Sequence, residues 1–257
     1  LGAVIPFGMN ARQQNAWMYQ GGGQELMREF LREYNIINFP AGNTAAQMGG
    51  WYRKEIKGLA DLQGLKLRIT GLGGMVLAKL GVVPQQIPAG DIYTALEKGT
   101  LDAVEFVGPY DDEKLGFFKV AKHYYYPGFW EGGAQVDLIV NIKAWEALPR
   151  EYQAILEAAA AESNVNMLAK YDAQNSAALR RLVSKGAVLH PFPNDVITAA
   201  YKAAHELYNE LAAKNPKFKK IYDHWRNFRD EQIAWFSVAE GRFDGLMAAA
   251  QRSAQKK

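Results

Sequence analysis

The chain has 257 residues, 49% hydrophobic and 22% charged, enough for one large or two ordinary domains around a substantial core. A net charge of +3, from 30 Lys and Arg against 27 Asp and Glu, gives no reason to expect a nucleic-acid partner. The absence of Cys excludes a disulfide scaffold and thiol chemistry, and apolar runs such as Val136 to Val140 fall far short of the roughly 20 residues that span a bilayer.

The chain opens at Leu1 in a segment that reads as the interior of a domain, without a visible signal peptide, so composition leaves the compartment open. Arg12 to Tyr34 has helical character broken at Gly21-Gly22-Gly23, which predicts two helices joined by a glycine turn. A short strand over 36–39 is expected to end at Pro40, with a possible second strand at 46–48. Residues 59–64 form a helical turn before the strand 65–69, and Gly71-Leu72-Gly73-Gly74 opens a helix ended by Gly81. A strand over 82–87 follows, then a helix over 92–98 with Asp91 as its N-cap, and then the strand 101–107. Strands alternating with helices in this way predict an α/β fold with a parallel sheet.

An aromatic block follows, Tyr124-Tyr125-Tyr126 with Phe129 and Trp130, before the strand 135–141. From Pro149 to Lys185 one long helix is expected, about 50 Å in length, which would cross two lobes. Gly186 caps it. A strand over 187–192 comes next, then a helix from the N-cap Asn194 to Ala213, and after Pro216 a last helix running towards the end.

The four histidines are scattered without ligand spacing, and neither a P-loop nor G-x-S-x-G occurs. Gly71-Leu72-Gly73-Gly74 lacks the third glycine of a dinucleotide fingerprint. Arg68 sits near the carboxyl end of an expected parallel strand, on the face opposite Leu67 and Ile69. It is either a bidentate captor of a ligand carboxylate or a surface arginine on an edge strand. Glu105, in an otherwise apolar strand, either faces solvent at the strand end or coordinates something, and Glu131 lies among aromatics. Two carboxylates, an amide such as Gln47 and a backbone carbonyl are hard oxygen donors suited to Na⁺ or Ca²⁺, though spacing alone does not bring them together.

At these residues the chain resembles the DctP-type substrate-binding proteins of TRAP transporters. The resemblance is carried by Phe39-Pro40-Ala41-Gly42-Asn43-Thr44 with Gln47-Met48-Gly49-Gly50-Trp51, by Asp61 to Ile69, and by Asp91-Ile92-Tyr93-Thr94-Ala95-Leu96 with Gly99 and Leu101-Asp102-Ala103. Glu105 to Tyr110 and Tyr124 to Gly128 resemble the subgroup that binds 2-oxo acids with a cation. The resemblance implies a two-lobed fold like that of periplasmic binding proteins. Residues 1–45 and 134–173 would form the first lobe, 46–133 and 174–213 the second, and 214–257 a C-terminal helical extension. It also implies that a preceding portion of the first lobe is missing from this chain.

By the same resemblance Arg68 pairs with the ligand carboxylate, and Gln47, Glu105, Glu131 and the Phe106 carbonyl coordinate a Na⁺ or Ca²⁺ ion. Asn43, Thr44, Trp51 and Tyr93 either line the cleft or are structural. Phe106 replaces a more usual Trp, and Trp130 a His, which bears on pocket shape. The implied function is a periplasmic, non-enzymatic receptor. It would bind a small 2-oxo or 2-hydroxy monocarboxylate and deliver it to the TRAP permease. The aromatics Trp225, Phe228, Trp235, Phe236 and Phe243 of the C-terminal helix either form a dimer surface or pack in the core of one chain. The competing readings are a metal-dependent lyase or hydrolase using Glu105 and Glu131, which lacks a histidine beside either, and a sensor domain, which would need a fused output segment.

Overall fold

The computed structural model describes residues 2–255. In chain order the elements are α1 (Ala11–Gln20), α2 (Gly23–Arg32), β1 (Ile36–Asn43), β2 (Trp51–Tyr52), β3 (Lys66–Arg68), α3 (Gly71–Ala78), β4 (Val83–Gln85), α4 (Ala89–Glu97), β5 (Ala103–Val104) and α5 (Pro109–Leu115). They continue with β6 (His123–Tyr126), β7 (Gln135–Asn141), α6 (Ile142–Glu146), α7 (Arg150–Ser184), β8 (Val188–Pro191), α8 (Asn194–Lys214), α9 (Pro216–Val238) and α10 (Glu240–Ala254).

Two sheets organise the chain. β1 pairs antiparallel with β7, and a second sheet has the order β4-β3-β5-β2-β6-β8. The alternation predicts a parallel sheet, and the second sheet is mixed: β4, β3 and β5 run together and β6 runs with β8, while β2 lies antiparallel between β5 and β6. The 35-residue helix α7 bridges the two regions as expected. Its Ala160 packs with Phe39 and Trp145 against the β1-β7 pair, and its Leu182 packs with Trp51, Val104 and Tyr124 beside the larger sheet. A third cluster joins Trp17, Tyr52, Leu67, Trp130, Tyr208 and Trp225.

Several boundaries depart from the sequence reading, each for a local reason. β1 continues past Pro40 to Asn43 because its ladder shifts register between Pro40 and Gly42, a bulge that tolerates a residue without an N–H. The strand expected at 46–48 forms instead at β2. Gly50, at φ +89°, brings β2 so near β5 that a Cβ there would stand 2.3 Å from the Val104 carbonyl oxygen. The strand expected over 101–107 shrinks to β5, since Gly108 and Pro109 start α5, with Asp111 and Asp112 in its first turn. Asp91 is not an N-cap: α4 begins at Ala89 and Asp91 lies in its first turn. Asn194 is likewise the first residue of α8, and Pro193 precedes it as the cap. Pro216 starts α9 rather than only ending α8, with the Asn215 side chain accepting from the N–H groups of Lys217 and Phe218. The last helix is also divided, at Ala239.

α5 is fastened to α7 along its length. Tyr110 N–H donates to Asn175 Oδ1 (3.0 Å), Tyr171 donates to Asp111 (2.7 Å), and Arg181 and Lys185 grip Glu113 at 2.7 and 2.8 Å. These ties fix the segment between β5 and α5, which carries Glu105 and Phe106.

Candidate functional site

Arg68 ends β3 beside β5, where Leu67 pairs with Ala103 and Arg68 with Val104. Leu67 points into the core and is fully buried, so alternation turns Arg68 to the opposite face. Its side chain is 16% exposed and that of Glu105 only 4%. Arg68 Nη1 donates to the Glu105 carbonyl at 2.9 Å and stands 3.5 Å from Glu105 Oε2. The Glu105 N–H returns a bond to the Arg68 carbonyl (2.9 Å), and the guanidinium carbon lies 5.5 Å from the centre of the Phe106 ring. Of the two readings of Arg68, the surface one is excluded.

Gln47 and Glu131 reach the same place through the backbone. Gln47 N–H donates to the Glu131 carbonyl (3.0 Å), Gly128 N–H to the Gln47 carbonyl (2.9 Å), and Met48 N–H to the Val107 carbonyl (3.1 Å). A Cβ at Gly128 would meet the Met48 carbonyl oxygen at 2.6 Å, so glycine permits this approach. The loop carrying Gln47 is shaped by Asn43 and Thr44, both buried. Asn43 Oδ1 accepts from Ala45 N–H (2.9 Å), and Thr44 Oγ1 accepts from Gln47 Nε2 (3.0 Å) and from Ala134 N–H (3.2 Å).

The polar groups here are not satisfied by one another. Gln47 Oε1, Glu105 Oε1 and Arg68 Nε are buried without hydrogen-bond partners, and among the described residues no hydrogen bond ends on the Phe106 carbonyl. Burial raises Glu105 well above the usual carboxylate range, and repulsion from Glu131 adds to this against the pull of Arg68. Burial raises Glu131 too, again opposed by Arg68. The Trp130 indole favours the charged form of Glu105 without meeting full hydrogen-bond geometry.

Two carboxyl groups held against their charged forms, beside orphaned amide and carboxylate oxygens, fit a cation. Among the described residues no group of three or more His, Cys, Asp or Glu side chains is placed to hold a metal ion by itself. The donor set therefore relies on amide and carbonyl oxygen, which suits Na⁺ or Ca²⁺ rather than zinc.

Other sequence candidates fall elsewhere. Trp51 is fully buried, stacked on Tyr124 at 3.8 Å, and its indole N–H donates to Asp112 Oδ2 (2.9 Å). Tyr93 packs beside Gly116 on α4. His123 and His190 bond each other at 3.0 Å, and His224 accepts from the Trp17 indole (3.1 Å). A surface hollow of about 390 Å³ between Arg28, Trp145 and Arg150 contains none of the site residues. The sequence reading missed Asp112, although Gly-Pro followed by two acidic residues is a helix-start signal that could have placed it.

Two regions bridged by one helix, with a largely buried arginine set against mutually repelling carboxyl groups, are the arrangement of a solute-binding protein. Over residues 3–215 the chain matches DctP, the bacterial extracellular solute-binding proteins of family 7, and it belongs to that family. It is 49% identical over 247 residues to a monocarboxylate 2-oxoacid-binding periplasmic protein of Nostoc sp., covering 96% of this chain and 68% of the relative. A TRAP transporter solute-binding protein of Bordetella bronchiseptica superposes with a TM-score of 0.96 at 57% identity, over 98% of this chain and 75% of the other. That protein is a mixed-occupancy dimer, with copurified calcium and picolinate in one active site and the other apo. A TRAP periplasmic solute-binding protein of Pseudoalteromonas atlantica, with bound sodium and pyruvate, gives 0.90 at 42% identity, over 94% and 74% of the two chains. The resemblance read from the sequence is borne out.

Proposed function

We propose that this chain is the receptor of a TRAP transporter that binds a small 2-oxo or 2-hydroxy monocarboxylate together with Na⁺ or Ca²⁺. The observation that carries this reading is that Gln47 Oε1, Glu105 Oε1 and Arg68 Nε are buried without partners among the described residues, on segments that backbone bonds tie to one another. Arg68 takes the ligand carboxylate as a charge-assisted pair, its Nε having no partner among the described residues. Gln47, Glu105, Glu131 and the Phe106 carbonyl hold the ion, whose charge offsets the mutual repulsion of the two carboxylates. Phe106 covers the guanidinium and walls the pocket beside it. The ligands of the Bordetella and Pseudoalteromonas relatives support this substrate class and this pair of metals.

The protein acts in the periplasm as a carrier and not as an enzyme, and it hands its ligand to membrane permease subunits. All four histidines lie outside the ligand set, so none supplies an acid–base group beside the glutamates. The C-terminal helix supplies a dimer surface. Trp225 is spent in the core, but Trp235, Phe243, Leu246 and Met247 are exposed and α10 has no buried residue. Isothermal titration with pyruvate and longer 2-oxo acids, with and without Na⁺ or Ca²⁺, tests the reading. Stoichiometric, metal-dependent binding without turnover is expected, and product formation would overturn it.

A further inference from the structure

We infer that Asp112 is a positioning residue whose carboxylate pins together the three chain segments that carry the side-chain metal ligands. The observation is a three-way junction buried behind the site. Trp51 Nε1–H donates to Asp112 Oδ2 at 2.9 Å and the Tyr124 hydroxyl donates to the same oxygen at 2.6 Å. The two donor rings are stacked 3.8 Å apart on the adjacent strands β2 and β6. Trp51 follows Gln47 by four residues, Tyr124 precedes Glu131 by seven, and Asp112 follows Glu105 by seven. One oxygen thus ties the Gln47, Glu105 and Glu131 segments at a common point.

The junction is rigid on every side. The Asp112 N–H donates to the Gly108 carbonyl (2.9 Å) and its own carbonyl accepts from Gly116 N–H (3.0 Å), seating it in α5. Val107, next to the Phe106 carbonyl, accepts from Met48 N–H (3.1 Å), closing the loop back to Gln47. Trp51, Tyr124 and Asp112 are all at most 1% exposed, so no water competes for these bonds. Asp112 bonds none of the ligands itself; loss of a partner that does bond a ligand typically costs about 10–100-fold in metal affinity, which sets the upper bound for the effect of losing the junction. Among the described residues Asp112 Oδ1 makes no bond of full geometry, although the Val107 N–H favours the charged carboxylate, so both ring donors share the other oxygen.

This inference rests on Gln47, Glu105 and Glu131 being the metal ligands, and calcium titration into the ligand-free protein separates the two. Wild type binding neither calcium nor sodium would refute the ligand set and the junction's role with it, and if only sodium binds the same variants are compared by sodium titration. Given wild-type binding, Asp112→Ala is expected to weaken calcium affinity by about tenfold. Asp112→Asn, which keeps one carbonyl acceptor for both donors, is expected to restore it. A folded Asp112→Ala variant with wild-type calcium affinity and only a lowered Tm would overturn the role, as would failure of Asp112→Asn to restore binding. Should Asp112→Ala not fold, Trp51→Phe and Tyr124→Phe each delete one donor while keeping the ring. Weakened calcium binding in both supports the junction, and unchanged binding in both overturns it.

Discussion

Replacing Arg68 with Met removes the one positive charge set among these carboxyl groups while keeping an unbranched stem of similar reach. The structure sets the size of the effect. A hydrogen bond to a charged partner contributes about 1.5–3 kcal/mol, and a two-pronged grip on a carboxylate falls at or above the top of that range. A loss of about 3 kcal/mol is more than a hundredfold in Kd. The fold should survive. Arg68 gives up its 2.9 Å charge-assisted bond to the Glu105 carbonyl, worth about 1.5–3 kcal/mol, or a fall in Tm of roughly 3–12 °C for a chain of this size. Glu105 loses its partner at 3.5 Å, but burial already favours its neutral form, so it takes up a proton rather than remaining a bare buried charge. Pyruvate titration by calorimetry with calcium present, alongside thermal unfolding, measures both effects. A variant with a native-like Tm and a pyruvate Kd within about threefold of wild type would refute the role of Arg68.

Glu105→Gln should abolish calcium binding while leaving the ligand-free protein as stable or more so, because it removes a carboxyl group that burial and Glu131 both disfavour when charged. Retained calcium affinity in a titration would contradict this. Burial raises Glu131 and takes Asp112 up to about 7, so the folded chain binds more protons than the unfolded one, whose carboxyls titrate near 4. Ligand-free stability should therefore be fullest below about pH 4 as far as these groups are concerned, and fall as pH rises through about 7. Calcium affinity should rise over the same interval, since the ion needs the charged carboxylates. Denaturant midpoints and calcium titrations across this range test both signs, and a pH-independent calcium affinity would contradict the ligand set. Deleting residues 240–254 should leave a folded protein, since α10 has no buried residue, but should lower the apparent mass in light scattering if this helix joins two copies. An unchanged mass would remove α10 from any dimer contact. In the core, Leu182→Ala should cost about 3 kcal/mol, read as a lowered denaturant midpoint, because Leu182 anchors α7 against Trp51 and Tyr124.

What the sequence disclosed and what it hid have physical causes. The long helix is legible because its apolar spacing is uninterrupted between Pro149 and Gly186, and the break at Gly21-Gly22 because glycine weakens any helix. β2 was misplaced because a two-residue strand has no periodicity of its own. Its position is decided by Gly50 meeting Val104, a contact distant in sequence. The same limit applies at the site. Alternation along β3 put Arg68 on the face away from the core, but only the bonds from Gln47 N–H to the Glu131 carbonyl and from Met48 N–H to the Val107 carbonyl join the segments around it. Trp51 looked like a cleft residue because aromatic side chains suit both pockets and cores. Its indole bond to Asp112, a partner 61 residues away, decides for the core.

The central claim is that Arg68 and the oxygens of Gln47, Glu105, Glu131 and Phe106 form one site for a carboxylate and its cation. Electron density from a crystal grown with calcium and pyruvate tests this most directly. The expected result is an ion bonded to those four residues, with the pyruvate carboxylate against the Arg68 guanidinium. An ion or a pyruvate seated on other residues, with Gln47 Oε1 and Glu105 Oε1 still unpartnered, would contradict it.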